Sequence, residues 1–235
     1  MAAKKGRRKK LSEEEKKELY KRVKELIMKI TAYPVGVSLA EREKARRALV
    51  KLYKESEDDV KGSVMAYMNE KLSNAREYRE FICLDYLKEK HRRPDVNPAE
   101  ITSKILDFST SADGAAYLLS ILGEFDDALA VKMLTFYITR YMAHPFVVFR
   151  GLAMKAISVL GGMTCKAALH ALADIKGLVK GLDLEGPVEA SINMWRTRVD
   201  AGKVKLTQEE KRMLSSILKK KGGPEKDKVE YAQYR

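Results

Sequence analysis

Three histidines, two cysteines and two short acidic runs are the side chains of this sequence best placed to do chemistry. His91, His144 and His170 fall in separate segments. Cys165 stands five residues before His170, a spacing that does not align two ligands on one helix face as i, i+4 does, so no metal is expected. Glu57-Asp58-Asp59 and Asp126-Asp127 each stand at the start of a helical pattern, where the helix dipole favours acids. They are read as first-turn and capping residues, not as a catalytic pair. No G-x-S-x-G elbow, no G-x-x-x-x-G-K loop and no G-x-G-x-x-G turn after a strand is present. The sequence therefore points away from an enzyme: no catalytic residue and no cofactor is assigned. Cys83 and Cys165 sit in apolar helical runs and read as small buried hydrophobes. Two distant cysteines suggest no disulfide framework and fit a reducing, cytoplasmic setting. Trp195, the one tryptophan, reads as a packing residue.

The cations carry a stronger signal. Of the net charge of +13, residues 1–54 supply +11, with 18 Lys/Arg against 7 Asp/Glu. Residues 55–202 hold 18 against 21, and residues 203–235 hold 10 against 5. Positive charge thus collects at the two ends of a nearly balanced middle. Lys4, Lys5, Arg7, Arg8, Lys9 and Lys10 crowd residues 1–10, which contain no large apolar side chain. Such a segment cannot offset its ordering entropy by burial and reads as a flexible arm. Cations on an arm of this kind exchange for counterions on a phosphate backbone. Lys17 and Lys21 on the first predicted helix, and Arg42, Arg46 and Arg47 on the second, extend the same candidate nucleic-acid surface. On the first helix, Glu13, Glu14, Glu15, Glu18 and Glu25 offer opposing charges. On the second only Glu41 and Glu43 do. The arm carries no aromatic ring for base stacking, and no zinc-finger, homeodomain or RNA-recognition signature is present.

Helices must position these residues. Ser12 with Glu15, Ser38 with Glu41, Ser56 with Asp59, Asn74 with Glu77 and Thr207 with Glu210 each pair a cap with an acid three residues on. Asn97, Pro98 and Glu100 open another helix. Apolar residues follow at three- and four-residue spacing: Val23, Ile27 and Ile30, then Ala45, Leu49 and Tyr53, then Val60, Val64 and Met68. Further helices are predicted near 113–122, 126–143, 146–160, 164–180, 187–200 and 208–220. Gly123, Gly161, Gly162 and Gly202 fall where helix C-termini favour a left-handed residue. The run MLTFYIT reads as a fully buried helix, not as a strand. The longest uncharged stretch, 30–40, has 11 residues, and 114–123 and 156–165 have 10 each, all far short of the about 20 residues a membrane helix needs. The basic start is followed by no apolar run and is read as neither secretory signal nor transit peptide.

Two windows match at an offset of 38 residues: Ala115 with Ala153, Ser120 with Ser158, Leu122 with Leu160, Gly123 with Gly161, Ala130 with Ala168 and Leu134 with Leu172. A helix–glycine–helix unit thus occurs twice. Residues 144–162, HPFVVFRGLAMKAISVLGG, resemble one helix of a HEAT repeat. Pro145 stands at its start, Val148 and Arg150 in its first turns, Ala153, Ala156 and Leu160 at packing positions, and Gly161 after them. The resemblance covers residues 113–180. Residues 1–110 do not fall into the register. It implies stacked helical pairs and a binding surface, without chemistry.

The expected protein is all-α: a helical-repeat, HEAT-like α-solenoid with a flexible basic N-terminal arm. Residues 1–10 form the arm, 11–110 an N-terminal helical region, 111–221 the repeats and 222–235 a flexible tail. The expected role is a cytoplasmic, non-enzymatic scaffold whose basic ends contact RNA or DNA non-specifically through the backbone, while the body packs on a protein partner. The alternative is a protein–protein adaptor with no nucleic-acid role. A membrane-docking arm lacks a lipidation signal.

Overall fold

The first helix, α1 (Glu13–Ala32), starts where Ser12 and Glu15 close the predicted capping box. In this computed structural model, residues 12–32, 36–73, 112–144 and 147–219 are described. The basic arm, the helices predicted from Asn74 and Asn97, Cys83 and the C-terminal tail lie outside them. The described residues form nine helices and no strand. After α1 come α2 (Leu39–Glu55), α3 (58–73), α4 (Ala112–Phe125), α5 (Ala128–Tyr141), α6 (Val147–Gly162), α7 (Lys166–Leu178), α8 (Glu185–Asp200) and α9 (Gln208–Lys219). The all-α expectation therefore holds for the described chain.

The boxes at Ser38–Glu41 and Thr207–Glu210 form as predicted. Ser56 does not cap α3. Its hydroxyl donates back to the Leu52 carbonyl, and Glu57 accepts the first bond of the new helix. The apolar stripes turn inward as their spacing requires. Val23, Ile27 and Ile30 of α1, Ala45, Leu49 and Tyr53 of α2, and Val60, Val64 and Met68 of α3 are buried. One buried cluster runs from Val23 to Leu214, so residues before 73 and after 112 share a core.

Helices α4, α6 and α8 touch in series, and so do α5, α7 and α9. Each row member also meets its sequence neighbour. Helix α1 packs on α2 and α4, and α2 also rests on α4. The glycines at the 38-residue offset explain how closely the first row packs. A Cβ on Gly123 would lie 2.6 Å from a Val159 methyl, and one on Gly161 would lie 2.7 Å from the Ser191 Cβ. Both glycines are inside helices, so their role is close approach. Of the four expected to end helices, only Gly202 is left-handed, at φ +68°.

The Asp126-Asp127 pair divides its work between two helices. Asp127 caps α5, accepting from the Ala130 N–H at 2.9 Å, and also accepts from the Tyr53 hydroxyl at 2.7 Å. Asp126 adopts φ +53°, a region that Asp tolerates better than most residues. Its carboxylate reaches forward to the start of α7, accepting from the Thr164 and Cys165 backbone N–H groups at 2.7 and 2.9 Å and from the Thr164 hydroxyl. Burial works against its ionisation, yet these donors hold its pKa below the usual value. From the other side, Arg198 of α8 donates to the carbonyls of Gly161, Gly162 and Met163 at the end of α6. Trp195, fully buried, donates to the Leu160 carbonyl, which fits its packing role. The MLTFYIT segment is helical but not fully buried, because Phe136 is 44% exposed.

Candidate nucleic-acid interface

Helix α2 separates its cations by face. Arg42 lies three residues before Ala45 and seven before Leu49, on the stripe that helical spacing sends to the core. It is only 3% exposed. Its Nε donates to the Ile30 carbonyl at 3.1 Å, a terminal nitrogen pairs with Asp113 at 2.8 Å, and the guanidinium lies 3.8 Å from the centre of the Tyr117 ring. Arg46 joins Glu124 at 2.6 Å and Glu43 at 2.8 Å. The bond to Glu124 is the largest cause of its raised pKa. Tyr117 donates to Glu43. Burial first, then this bond, pushes the phenol up to about 12, while the same bond and Arg46 hold Glu43 low. Two of the sequence-predicted cations, Arg42 and Arg46, are thus engaged in fastening α2 to α4.

Arg47 takes the opposite side. Lys44, Arg47, Lys51 and Lys54 recur at i, i+3, i+7 and i+10, are all exposed, and have no ion-pair partner among the described residues. Adjacent members rise about 4.5–6 Å along the axis. No acid stands between them in the row, while Glu41 and Glu55 flank it and Glu43, one turn before Arg47, feels its charge. Lys54 was not singled out from sequence, although its spacing from Lys51 and Arg47 marks the face.

On α1 the expected Lys17 and Lys21 are exposed and continue through Lys24, also at helical spacing. None of the three has an ion-pair partner among the described residues. Lys16 is different, pairing with Glu13 at 3.1 Å and approaching Asp59 at 4.0 Å. Of the acids expected to balance α1, Glu13 pairs with Lys16 and Glu15 closes the cap with Ser12, and none forms an ion pair with Lys17, Lys21 or Lys24 among the described residues. The Lys24 ammonium lies 6.0 Å from the Tyr67 ring centre on α3. Helix α3 in turn holds α5: the Tyr137 hydroxyl donates to the Asn69 side chain at 2.8 Å. Lys4, Lys5, Arg7, Arg8, Lys9 and Lys10 lie outside the described residues.

Two exposed cationic rows, each about two to three turns long, can lie along a phosphate backbone without choosing bases. Cys165 is half-buried at the N-cap of α7, where burial pushes its thiol up to about 11 and away from reactivity. His170 is exposed on the same helix. Among the described residues no helix is long and apolar enough to cross a membrane. Comparison with protein-family models, with curated proteins and with solved structures finds no match to this chain.

Proposed function

We propose that this chain is a non-enzymatic scaffold that holds RNA or DNA by its phosphates, and that its helical body is a HEAT-like α-solenoid offering a further surface to a protein partner. The observation that carries the nucleic-acid reading is the row of four cations Lys44–Arg47–Lys51–Lys54, exposed on α2 and in no ion pair among the described residues, while Arg42 and Arg46 of the same helix turn inward. The row Lys17–Lys21–Lys24 and the arm residues 4–10 add cations at the same end. The solenoid reading is supported by the two serial rows of helices and by the equivalent glycine contacts at Gly123 and Gly161. The setting proposed is cytoplasmic.

Salt titration of binding tests the proposal. Each phosphate contact contributes about 0.9 to the slope of log affinity against log salt for duplex DNA, and about 0.7 for a single strand. Reversing three charges together, as K44E, R47E and K51E, is expected to flatten that slope by about two to three. It should also weaken RNA and DNA alike. Unchanged affinity and slope in this variant, and in a chain lacking residues 1–10, would remove the proposal and favour the adaptor.

A further inference from the structure

Phe136, 44% exposed, is the only exposed aromatic ring among the described residues: the other described Phe, Tyr and Trp side chains are buried or half-buried. It borders a shallow groove of about 550 Å³ between α5 and α7. Lys132 stands one turn before it and Arg140 one turn after it, and both are exposed. The Arg140 guanidinium lies 5.4 Å from the Phe136 ring centre. Across the groove are His170 and Asp174 of α7, with alanines between them. Thr135 also lines the groove, although its hydroxyl oxygen is buried beneath that surface.

The combination is chemically specific. A ring with cations one turn to either side suits a flat heteroaromatic group whose flanking substituents are anionic. The Asp174 carboxylate across the groove suits an amino group on that heterocycle's edge. A base in a single strand has all of these features, whereas duplex bases hide their faces. Helix α3 touches both neighbourhoods, through Tyr67 beneath Lys24 and through Asn69 and Tyr137.

We propose that the α5–α7 groove is a stacking site for a base of single-stranded nucleic acid, with Phe136 as the platform and Lys132 and Arg140 meeting the phosphates on either side. Asp174 meets the base edge. Asp174 accepts from an exocyclic amino group, so bases that carry one, cytosine and adenine among them, are preferred over uracil. This site rests on the nucleic-acid reading above and adds to it a preference for single strands.

The test uses the full chain with labelled oligo(C), oligo(A), oligo(U) and a duplex of equal length. F136A is expected to weaken single-strand binding about tenfold and to leave the duplex unchanged. F136W is expected to retain affinity, with its new tryptophan quenched on binding, while buried Trp195 provides a constant background. D174N should abolish the preference for oligo(C) and oligo(A) over oligo(U). Wild-type single-strand affinity in F136A, with no quenching in F136W, would overturn the site. If the α1 and α2 cations still governed binding, the phosphate reading would stand without it. Loss of a bound protein in F136A with oligonucleotide affinity intact would likewise overturn it and assign the groove to a protein. Failure of the intact chain to bind any oligonucleotide would sink both readings, and equal affinity for the three strands would remove the role of Asp174.

Discussion

The seam between α2 and α4 and the seams along α4, α6 and α8 join helices by opposite means. In the first, Arg42, Arg46, Glu43, Asp113, Glu124 and Tyr117 span the gap with long polar side chains. In the second, Gly123 and Gly161 remove the gap, letting Val159 and Ser191 approach within the space of a missing Cβ. The polar seam tolerates small shifts in helix spacing but depends on charge. The Gly123–Val159 and Gly161–Ser191 contacts are sensitive to volume and carry no charge, with Arg198 adding a charged clasp at the end of α6. On top of the shared apolar core, the first seam thus adds polar pairing and the second adds close approach.

The largest effect is expected from G161V, which places a branched side chain against the Ser191 backbone. Overpacking of this kind costs about 3 kcal/mol, read as a lowered urea midpoint. Adding S191G should recover part of the loss, and no recovery would show that Gly161 matters for another reason. R42A should cost about 2 kcal/mol, from lost packing of the side-chain stem and the lost bond to the Ile30 carbonyl. Asp113 is left able to hydrate, because its side chain is 65% exposed. R42K should recover some of the packing but not the paired geometry. A cost for R42A as small as that of an ordinary surface cation would break the contrast between the seams. The smallest effect is in pH. Tyr117 donates to Glu43 only while protonated, and its folded pKa, about 12, exceeds the ordinary 10.0. Its contribution is complete below pH 10 and is lost as pH rises towards and past 12. Wild-type chain should therefore lose more stability than Y117F across that window in parallel alkaline melts. The contacts at Gly123 and Gly161 contain no titrating group, so the wild-type chain and an S191A variant should keep the same difference throughout.

The sequence revealed the starts of helices well, because a hydroxyl and an acid three residues apart solve a local problem that no distant residue alters. Ser12, Ser38 and Thr207 behave accordingly. Ser56 does not, since the preceding helix offered its hydroxyl a nearer carbonyl at Leu52. The inward turn of Arg42 was legible in its spacing from Ala45 and Leu49, although the charge argued for the surface. Gly123 and Gly161 were harder. A helix end and a close crossing both select glycine, and only the neighbouring helix distinguishes them. Asp126 was read as a first-turn acid of its own helix. Its true acceptor role lies 38 and 39 residues ahead, at Thr164 and Cys165, beyond the reach of local pattern. The run MLTFYIT reads as buried throughout, but periodicity puts Phe136 on the face opposite Leu134 and Ile138.

The turn joining α6 to α7 is fastened from both directions. Asp126 arrives from upstream and Arg198 from downstream, and neither belongs to the two helices they secure. An excised hairpin spanning 147–178 would carry neither clasp, and its middle would fray. During synthesis that hairpin gains its upstream clasp as it emerges, and gains its downstream one only after 20 further residues have followed. Its consolidation is therefore staged, with the last step waiting on α8.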